Sequence, residues 1–363
     1  MTRTIWACVL AAMALVACSS GAPTDGLPSE HGQGGGDGKG FGGATAEAPA
    51  PVSGDLAACA TSSAKGAFMP VDLVILVDQS DSMFNNYATR WQPATNALSQ
   101  FFGDAASQGI EASLGFFPIG ATDSQFFCSS STYASPQVAM RALPDKATFT
   151  PAIGTARAVK GTPTATALAG ALTYAKTQHV SHPDHPTAVV LVTDGLPNSC
   201  GDTADQALAR LVQVAALSAS QVHTYVIGVG PALSNLDTIA QAGGTGKAIL
   251  ASLSSPQQTT ADVQAALSTI RVESLSCDLV VPAPPDGSAL DASNVNVVVT
   301  SADGKAQTLS YDKDCASGTG WHYDDPAAPK KVSLCTSSCD AAKKNTASSI
   351  TIAFGCATKG GVR

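Results

Sequence analysis

A buried strand that ends in a cluster of hydroxyl and carboxyl groups is the feature that most constrains the fold. Residues 71–77 read Val-Asp-Leu-Val-Ile-Leu-Val, the near-continuous apolar pattern of a strand covered on both faces in a parallel sheet. The next five residues, 78–82, read Asp-Gln-Ser-Asp-Ser. A strand ending in Asp-x-Ser-x-Ser places one carboxylate and two hydroxyls on one tight loop. Such hard oxygen donors suit Mg²⁺ or Mn²⁺ better than Zn²⁺.

Two later segments carry side chains of the same chemistry. Thr162 lies in a Gly-Thr-Pro-Thr loop just before a helical pattern, and Asp194 ends a second apolar strand that begins at Ala188. In an open α/β sheet, strand ends and helix starts of this kind meet at one edge, where ligands bind. The alternative is that these residues only cap strand-to-helix turns, which explains one motif but not three together.

The five residues Asp78, Ser80, Ser82, Thr162 and Asp194 resemble the metal-ion-dependent adhesion site of von Willebrand factor A (VWA) domains. The resemblance covers roughly residues 70–272. It implies that these residues bind Mg²⁺ or Mn²⁺, with Ca²⁺ as a further candidate. It also implies that one coordination position is left for an acidic group of a partner protein.

The middle of the chain alternates strand and helix patterns, as a doubly wound and mostly parallel α/β sheet requires. The last helix has the clearest start, with Ser255 as N-cap, Pro256 at the first position and Gln258 three residues after the cap. Further strands are predicted at 110–119, 136–143 and 222–229, and further helices at 91–106, 148–159, 166–178 and 203–219.

From residue 273 onward the pattern changes to short β-type segments separated by Asp, Gly and Pro turns. Residues 273–363 are therefore predicted to form a small β-rich module, of a size that needs disulfide staples. Its aromatic residues Trp321 and Tyr323 fit the core of such a module better than an exposed carbohydrate-stacking patch. The central VWA-like domain is assigned to residues 56–272.

Eight cysteines remain after the first 18 residues, an even number that indicates disulfides in an oxidising compartment. A bond between Cys128 and Cys200 is predicted because both lie near the metal-bearing edge. A bond between Cys59 and Cys277 is predicted because the two ends of the domain lie close together. Pairing within the tail is predicted for the other four, Cys315, Cys335, Cys339 and Cys356.

The amino terminus reads as a targeting segment. Arg3 is followed by a short apolar run and by Leu-Val-Ala-Cys at 15–18, which resembles a bacterial lipoprotein cleavage site. Residues 1–17 are therefore predicted to be a signal peptide and Cys18 the lipidated first residue. Residues 18–55, rich in Gly and Pro, are predicted to be a tether with a reach on the order of 35 Å. This organisation resembles that of surface lipoproteins and predicts the outer membrane of a Gram-negative bacterium.

Several functions are disfavoured by the sequence. The net charge is −8 and Lys and Arg are not clustered, which argues against nucleic acid. The Gly-rich stretch at 242–248 lacks the spacing of a phosphate loop, so no nucleotide is expected. The histidines at 179, 182 and 185 are expected in a surface loop, since Pro183 and Pro186 prevent a shared helical face.

The function predicted from the sequence is metal-dependent protein binding by a membrane-anchored lipoprotein outside the cytoplasm, without enzymatic activity. The first alternative is a structural component that assembles the cell envelope with a permanent partner. The second is a metal-dependent hydrolase, which is disfavoured because the motif offers no histidine ligand and Asp81 is its only spare carboxylate.

Overall fold

The computed structural model describes residues 56, 58–121, 125–230, 234–301, 303–344 and 349–362. The predicted signal peptide, the lipidation site Cys18 and the tether 18–55 lie outside the described residues. None of the helices in the described ranges is long and apolar enough to span a membrane.

The described part of the chain alternates strands and helices up to residue 274 and is richer in strands after it. The strands are β1 (Ser62–Gly66), β2 (Val71–Asp78), β3 (Ile110–Phe117), β4 (Val138–Ala142), β5 (Thr187–Thr193), β6 (His223–Val229), β7 (Ile249–Ala251), β8 (Asp278–Val280), β9 (Val295–Thr300), β10 (Ala306–Thr308), β11 (Trp321–Tyr323), β12 (Lys331–Leu334) and β13 (Ser349–Phe354). The α-helices are α1 (Asp81–Asn85), α2 (Trp91–Gly103), α3 (Ser130–Tyr133), α4 (Lys146–Ile153), α5 (Thr164–Ser181), α6 (Ala204–Ala216), α7 (Ser234–Ala242), α8 (Pro256–Ser274) and α9 (Thr336–Lys344).

The central sheet has the strand order β4-β3-β2-β5-β6-β7. Five strands run parallel, and β4 is an antiparallel strand at one edge. All eight residues of β2 are buried, because helices cover both faces of the sheet. Leu73 and Ile75 pack with the layer formed by α2 and α8, whereas Val74 and Leu76 pack with α5. The predicted doubly wound α/β fold is confirmed.

The last helix of this domain begins where the sequence predicts. The hydroxyl of Ser255 accepts a hydrogen bond from the Gln258 amide at 3.1 Å, and Pro256 is the first helical residue. Helix α4, in contrast, ends at Ile153 instead of continuing to Val159. The chain after it must reach the end of β2, and the amide of Val159 donates to the carbonyl of Gln79 at 3.2 Å. An extended segment therefore replaces the end of the predicted helix.

Two small sheets form the second part of the described chain, with the orders β1-β13-β9-β10 and β11-β12-β8. Strand β1 precedes the central sheet in sequence but pairs antiparallel with β13. Residues 62–66, which the prediction assigned to the central domain, therefore belong to the C-terminal sheet. Trp321 and Tyr323 are buried at 0% and 3% exposure and form the core of this module.

Four disulfides join the eight cysteines, and one of the two specific predicted pairings is wrong. Cys59 bonds to Cys356 and not to Cys277. The reason is that β1 pairs with β13 instead of joining the central sheet, which brings Cys59 beside Cys356, two residues after β13. Cys277 instead bonds to Cys339 of α9. The remaining bonds are Cys315–Cys335 and Cys128–Cys200. The predicted pairing among the last four cysteines therefore holds for Cys315–Cys335 and is wrong for Cys339 and Cys356, whose partners are Cys277 and Cys59.

Candidate metal site at the end of strand β2

Asp78 is the last residue of β2, and its carboxylate is buried and held at both oxygens. The backbone amide of Ser80 donates to Oδ1 at 2.8 Å, and the hydroxyl of Thr193 donates to Oδ2 at 2.6 Å. Thr193 ends β5, the strand beside β2 in the sheet. The two strand ends therefore fix the orientation of this carboxylate before any ligand arrives.

The two serines of the motif connect Asp78 to the second aspartate. The Oγ atoms of Ser80 and Ser82 lie 2.9 Å apart, and the hydroxyl of Ser82 donates to Oδ1 of Asp194 at 2.8 Å. Asp194 directly follows β5 and is 6% exposed. Hydrogen bonds thus link four of the five sequence-predicted residues at the carboxyl edge of the sheet, through the Ser80 backbone amide on Asp78 and through the serine hydroxyls toward Asp194.

Thr162 lies on a neighbouring loop at the same edge. Its backbone amide donates to Oδ1 of Asn198 and to Oγ of Ser199, each at 3.0 Å. These contacts join the loop before α5 to the loop that follows Asp194. Thr162 makes these contacts through its backbone, and its role as a metal ligand stays a prediction.

Burial changes the proton affinity of the site. Desolvation, aided by the nearby carboxylate of Asp194, raises the pKa of Asp78 to about 7, although the hydrogen bonds from Thr193 and Ser80 lower it. A metal ion takes the deprotonated carboxylate, so metal and proton compete for Asp78 near neutral pH.

Arg90 is a member of this site that the sequence reasoning missed. Its guanidinium forms an ion pair with Oδ2 of Asp194, whose side chain is fully buried, whereas 19% of the Arg90 side chain is exposed. The buried Nε of Arg90 has no hydrogen-bond partner within the described residues. A contact across 104 positions gives no local signal, because Arg90 lies in a loop outside any of the motifs.

The donor set fits a hard divalent cation. Two carboxylates and two hydroxyls converge, and all offer oxygen, which Mg²⁺, Mn²⁺ and Ca²⁺ prefer. The ion pair of Asp194 with the Arg90 guanidinium indicates that this carboxylate attracts positive charge. Asp78, Ser80, Ser82 and Asp194 are therefore the residues that would hold such an ion.

A disulfide ties two loops together beside the site. Cys128 and Cys200 bond with their Cα atoms 5.6 Å apart, as the sequence predicts, and join the loop before α3 to the loop after Asp194. The hydroxyl of Thr166 in α5 contacts the sulfur of Cys200 at 3.9 Å. The loop after Asp194 is thus fastened to the loop before α3 and contacts α5.

An open α/β sheet with oxygen-rich loops at its carboxyl edge is the arrangement of a Rossmann-like ligand-binding domain. The family profile described as von Willebrand factor type A domain matches residues 72–266, more than half of the chain. This chain belongs to the von Willebrand factor type A family.

Solved structures with related folds are distant in sequence. Proximal thread matrix protein 1 of the mussel byssus is 18% identical, with a TM-score of 0.40 over 59% of this chain and 48% of that one. This chain thus spans about half the length of the mussel protein. The vWF domain of the pilus tip protein Mfa5 from Porphyromonas gingivalis is 14% identical, with a TM-score of 0.40 over 57% of this chain and 97% of that one.

A third structure, that of the manganese-loaded TRAP protein from Plasmodium vivax, is 18% identical, with a TM-score of 0.35 over 66% of this chain and 89% of that one. Among curated protein sequences, no match to this chain was found.

Proposed function

We propose that this protein binds an acidic group of a protein partner through a divalent cation held by Asp78, Ser80, Ser82, Thr162 and Asp194. The observation that carries the proposal is the hydrogen-bonded group of Asp78, Ser80, Ser82 and Asp194 at the edge of the sheet. Members of the VWA family commonly mediate metal-dependent protein interactions, and the hydrogen-bonded group of Asp78, Ser80, Ser82 and Asp194 supports such a site in this chain.

The site combines a charged carboxylate ligand with neutral hydroxyl ligands. Asp78 supplies a buried negative charge whose orientation Thr193 and Ser80 fix. The serine hydroxyls supply oxygen without adding charge, so a bound dication keeps enough positive charge to attract a carboxylate from outside. Recognition of the partner is therefore electrostatic.

Arg90 gives the site a second state. Without a dication, its guanidinium neutralises the buried carboxylate of Asp194. A dication takes over this neutralisation and frees the arginine. Binding of metal is thus coupled in our proposal to a movement of one cationic side chain at the rim of the site.

The cellular location of the protein is proposed from its disulfides and its amino terminus. Four disulfides within the described residues are typical of proteins in oxidising compartments. Together with the signal-like residues 1–17, they support export. We propose that lipidation of Cys18 anchors the protein in the outer membrane and that residues 18–55 hold the binding site away from the lipid surface.

A pull-down from envelope extract tests this function. The full chain, purified in detergent and immobilised, captures partner proteins in Mn²⁺ and releases them when a chelator is added. The Asp78→Asn variant captures none of them, whereas Asp81→Asn, which changes a neighbouring carboxylate outside the predicted ligand set, captures the same proteins. Equal capture by Asp78→Asn, or partners retained in chelator, contradicts metal-dependent binding and favours a permanent envelope assembly.

A further inference from the structure

A second cluster of metal-binding side chains lies at the opposite end of strand β2. Asp72 is the second residue of this strand, and its carboxylate is fully buried. Nδ1 of His185 lies 2.9 Å from its Oδ1, and Nδ1 of His182 lies 3.3 Å from its Oδ2. At about 3.3 Å per residue, six residues of strand separate Asp72 from Asp78 by about 20 Å. The two clusters are therefore independent.

A tight turn brings the two histidines together. Helix α5 ends at Ser181, and the His-Pro-Asp-His turn that follows is closed by a hydrogen bond from the His185 amide to the His182 carbonyl at 3.0 Å. Proline favours the second position of such a turn because its φ is preset. The two imidazole rings lie 4.7 Å apart as a result. Pro183, which argues against a shared helical face, thus favours the turn that brings the two histidines together.

Strand pairing fixes the carboxylate against this turn. The amide of Asp72 donates to the carbonyl of Pro186 at 2.9 Å, and Asp72 is the register partner of Thr187 at the start of β5. This backbone pairing between β2 and the segment that follows the turn holds the buried carboxylate next to the histidines. The turn, the strand pairing and these hydrogen bonds hold the three donor groups together.

We propose that Asp72, His182 and His185 form a second metal site, selective for a borderline dication such as Zn²⁺. Two imidazoles and one carboxylate are a zinc donor set, whereas the all-oxygen site at Asp78 suits Mg²⁺ or Mn²⁺. The three ligand atoms all lie within 4.8 Å of one another.

The separations within the cluster agree with this chemistry. Tetrahedral zinc with bonds of about 2.0–2.2 Å keeps neighbouring ligand atoms roughly 3.3–3.5 Å apart. The observed separations are 3.3 Å from His182 to Oδ2 and 2.9 Å from His185 to Oδ1, so an ion on one carboxylate oxygen needs an adjustment of the side chains within this cluster. The side chain of His182 is 40% exposed, which gives the ion an entry path and leaves room for water as a fourth ligand.

The position of the site gives it a role. Asp184, in the same turn, forms an ion pair with Lys331 of β12 in the C-terminal module. A metal bound to both flanking histidines fixes this turn to the buried start of β2. The site thus fastens the segment of the VWA domain that contacts the C-terminal module.

Zinc titration of the full chain tests the site separately from the one at Asp78. The measurements use tag-free protein in detergent in the Asp78→Asn background, so that the first site does not contribute. Calorimetry is expected to detect one Zn²⁺ per chain. His182→Asn and His185→Asn are expected to weaken it by more than the 10- to 100-fold that loss of an outer-shell partner costs. His223→Asn, at an exposed histidine elsewhere, leaves Zn²⁺ affinity unchanged.

Two further readouts make the result independent of protein stability. Circular dichroism checks that each variant is folded at the temperature of titration, and Co²⁺ added in place of Zn²⁺ reports the ligand geometry through its visible absorption. A tetrahedral Co²⁺ spectrum that disappears in both histidine variants supports the site. Equal Zn²⁺ binding in the histidine variants and the parent, or no Zn²⁺ binding in the folded parent, overturns it and leaves the cluster as hydrogen bonds only.

Discussion

Replacement of Arg90 by methionine separates the metal-free state of the candidate site from its metal-bound state. Methionine keeps an apolar stem of similar length, so the change removes the charge while it retains much of the packing. In the metal-free protein, the change leaves the fully buried carboxylate of Asp194 without its cation. Loss of one partner from a buried pair costs about 3–5 kcal/mol. Because 19% of the Arg90 side chain is exposed, solvent screens the pair and we expect a smaller cost of about 2–3 kcal/mol.

The free energy of metal binding is expected to become more favourable by the same amount. If a dication displaces the guanidinium, the metal-bound protein is nearly indifferent to the change, and the destabilised metal-free protein gains more from binding. A difference of about 2–3 kcal/mol corresponds to Mn²⁺ binding that is roughly 30- to 160-fold tighter. Calorimetry measures the affinity, and urea unfolding in chelator measures the stability.

A matched control and a refuting result are available for this experiment. Arg141 forms an ion pair with Asp145, and 52% of the Arg141 side chain is exposed. The Arg141→Met variant is therefore expected to cost less than about 1 kcal/mol of stability and to leave Mn²⁺ affinity unchanged. Mn²⁺ binding by Arg90→Met that is equal to or weaker than that of the wild type refutes the reasoning. It would mean that Arg90 stays on Asp194 when metal is bound.

Three further predictions concern protons and disulfides. The pKa of Asp78 is raised from 3.8 to about 7. Protonated Asp78 therefore contributes about 4 kcal/mol to the stability of the metal-free protein below about pH 4, and this contribution is lost as the pH rises through 7. The difference between the unfolding free energies of wild type and Asp78→Asn at each pH measures it. Mn²⁺ affinity moves the opposite way and falls about tenfold per pH unit below 7, which calorimetry at several pH values checks; a flat profile contradicts it. Replacement of Cys59 and Cys356 by serine is expected to cost about 3–5 kcal/mol in urea unfolding without weakening Mn²⁺ binding, because this bond staples the β1–β13 pair of the C-terminal sheet and involves no strand of the central sheet. An equal loss in both properties would contradict that separation.

The sequence predicts those parts of the site that depend on local pattern and parallel strand order. Asp78, Ser80 and Ser82 share one turn, and Asp194 ends the next strand of the sheet, so the carboxyl edge brings them together. The helix start at Ser255 is equally local.

The features that the sequence did not predict depend on contacts between distant segments. Arg90 reaches Asp194 across 104 positions, and nothing near Arg90 marks it. The wrong pairing of Cys59 with Cys277 assumed that the chain enters and leaves the domain side by side. In the structure, β1 joins β13 instead, and the choice of that partner is settled by the packing of the whole C-terminal module.

The most direct test of the central claim is Mn²⁺ titration of the full chain and its Asp78→Asn variant by calorimetry at pH 8. At this pH the Asp78 carboxyl is largely ionised, since its pKa is about 7, and the substitution removes a charge with little change in shape. Circular dichroism checks that the variant is folded, and Asp81→Asn serves as the neighbouring control. We predict one Mn²⁺ site in the wild type and in Asp81→Asn and its loss in folded Asp78→Asn. Equal Mn²⁺ binding by wild type and Asp78→Asn would contradict the assignment of the metal site.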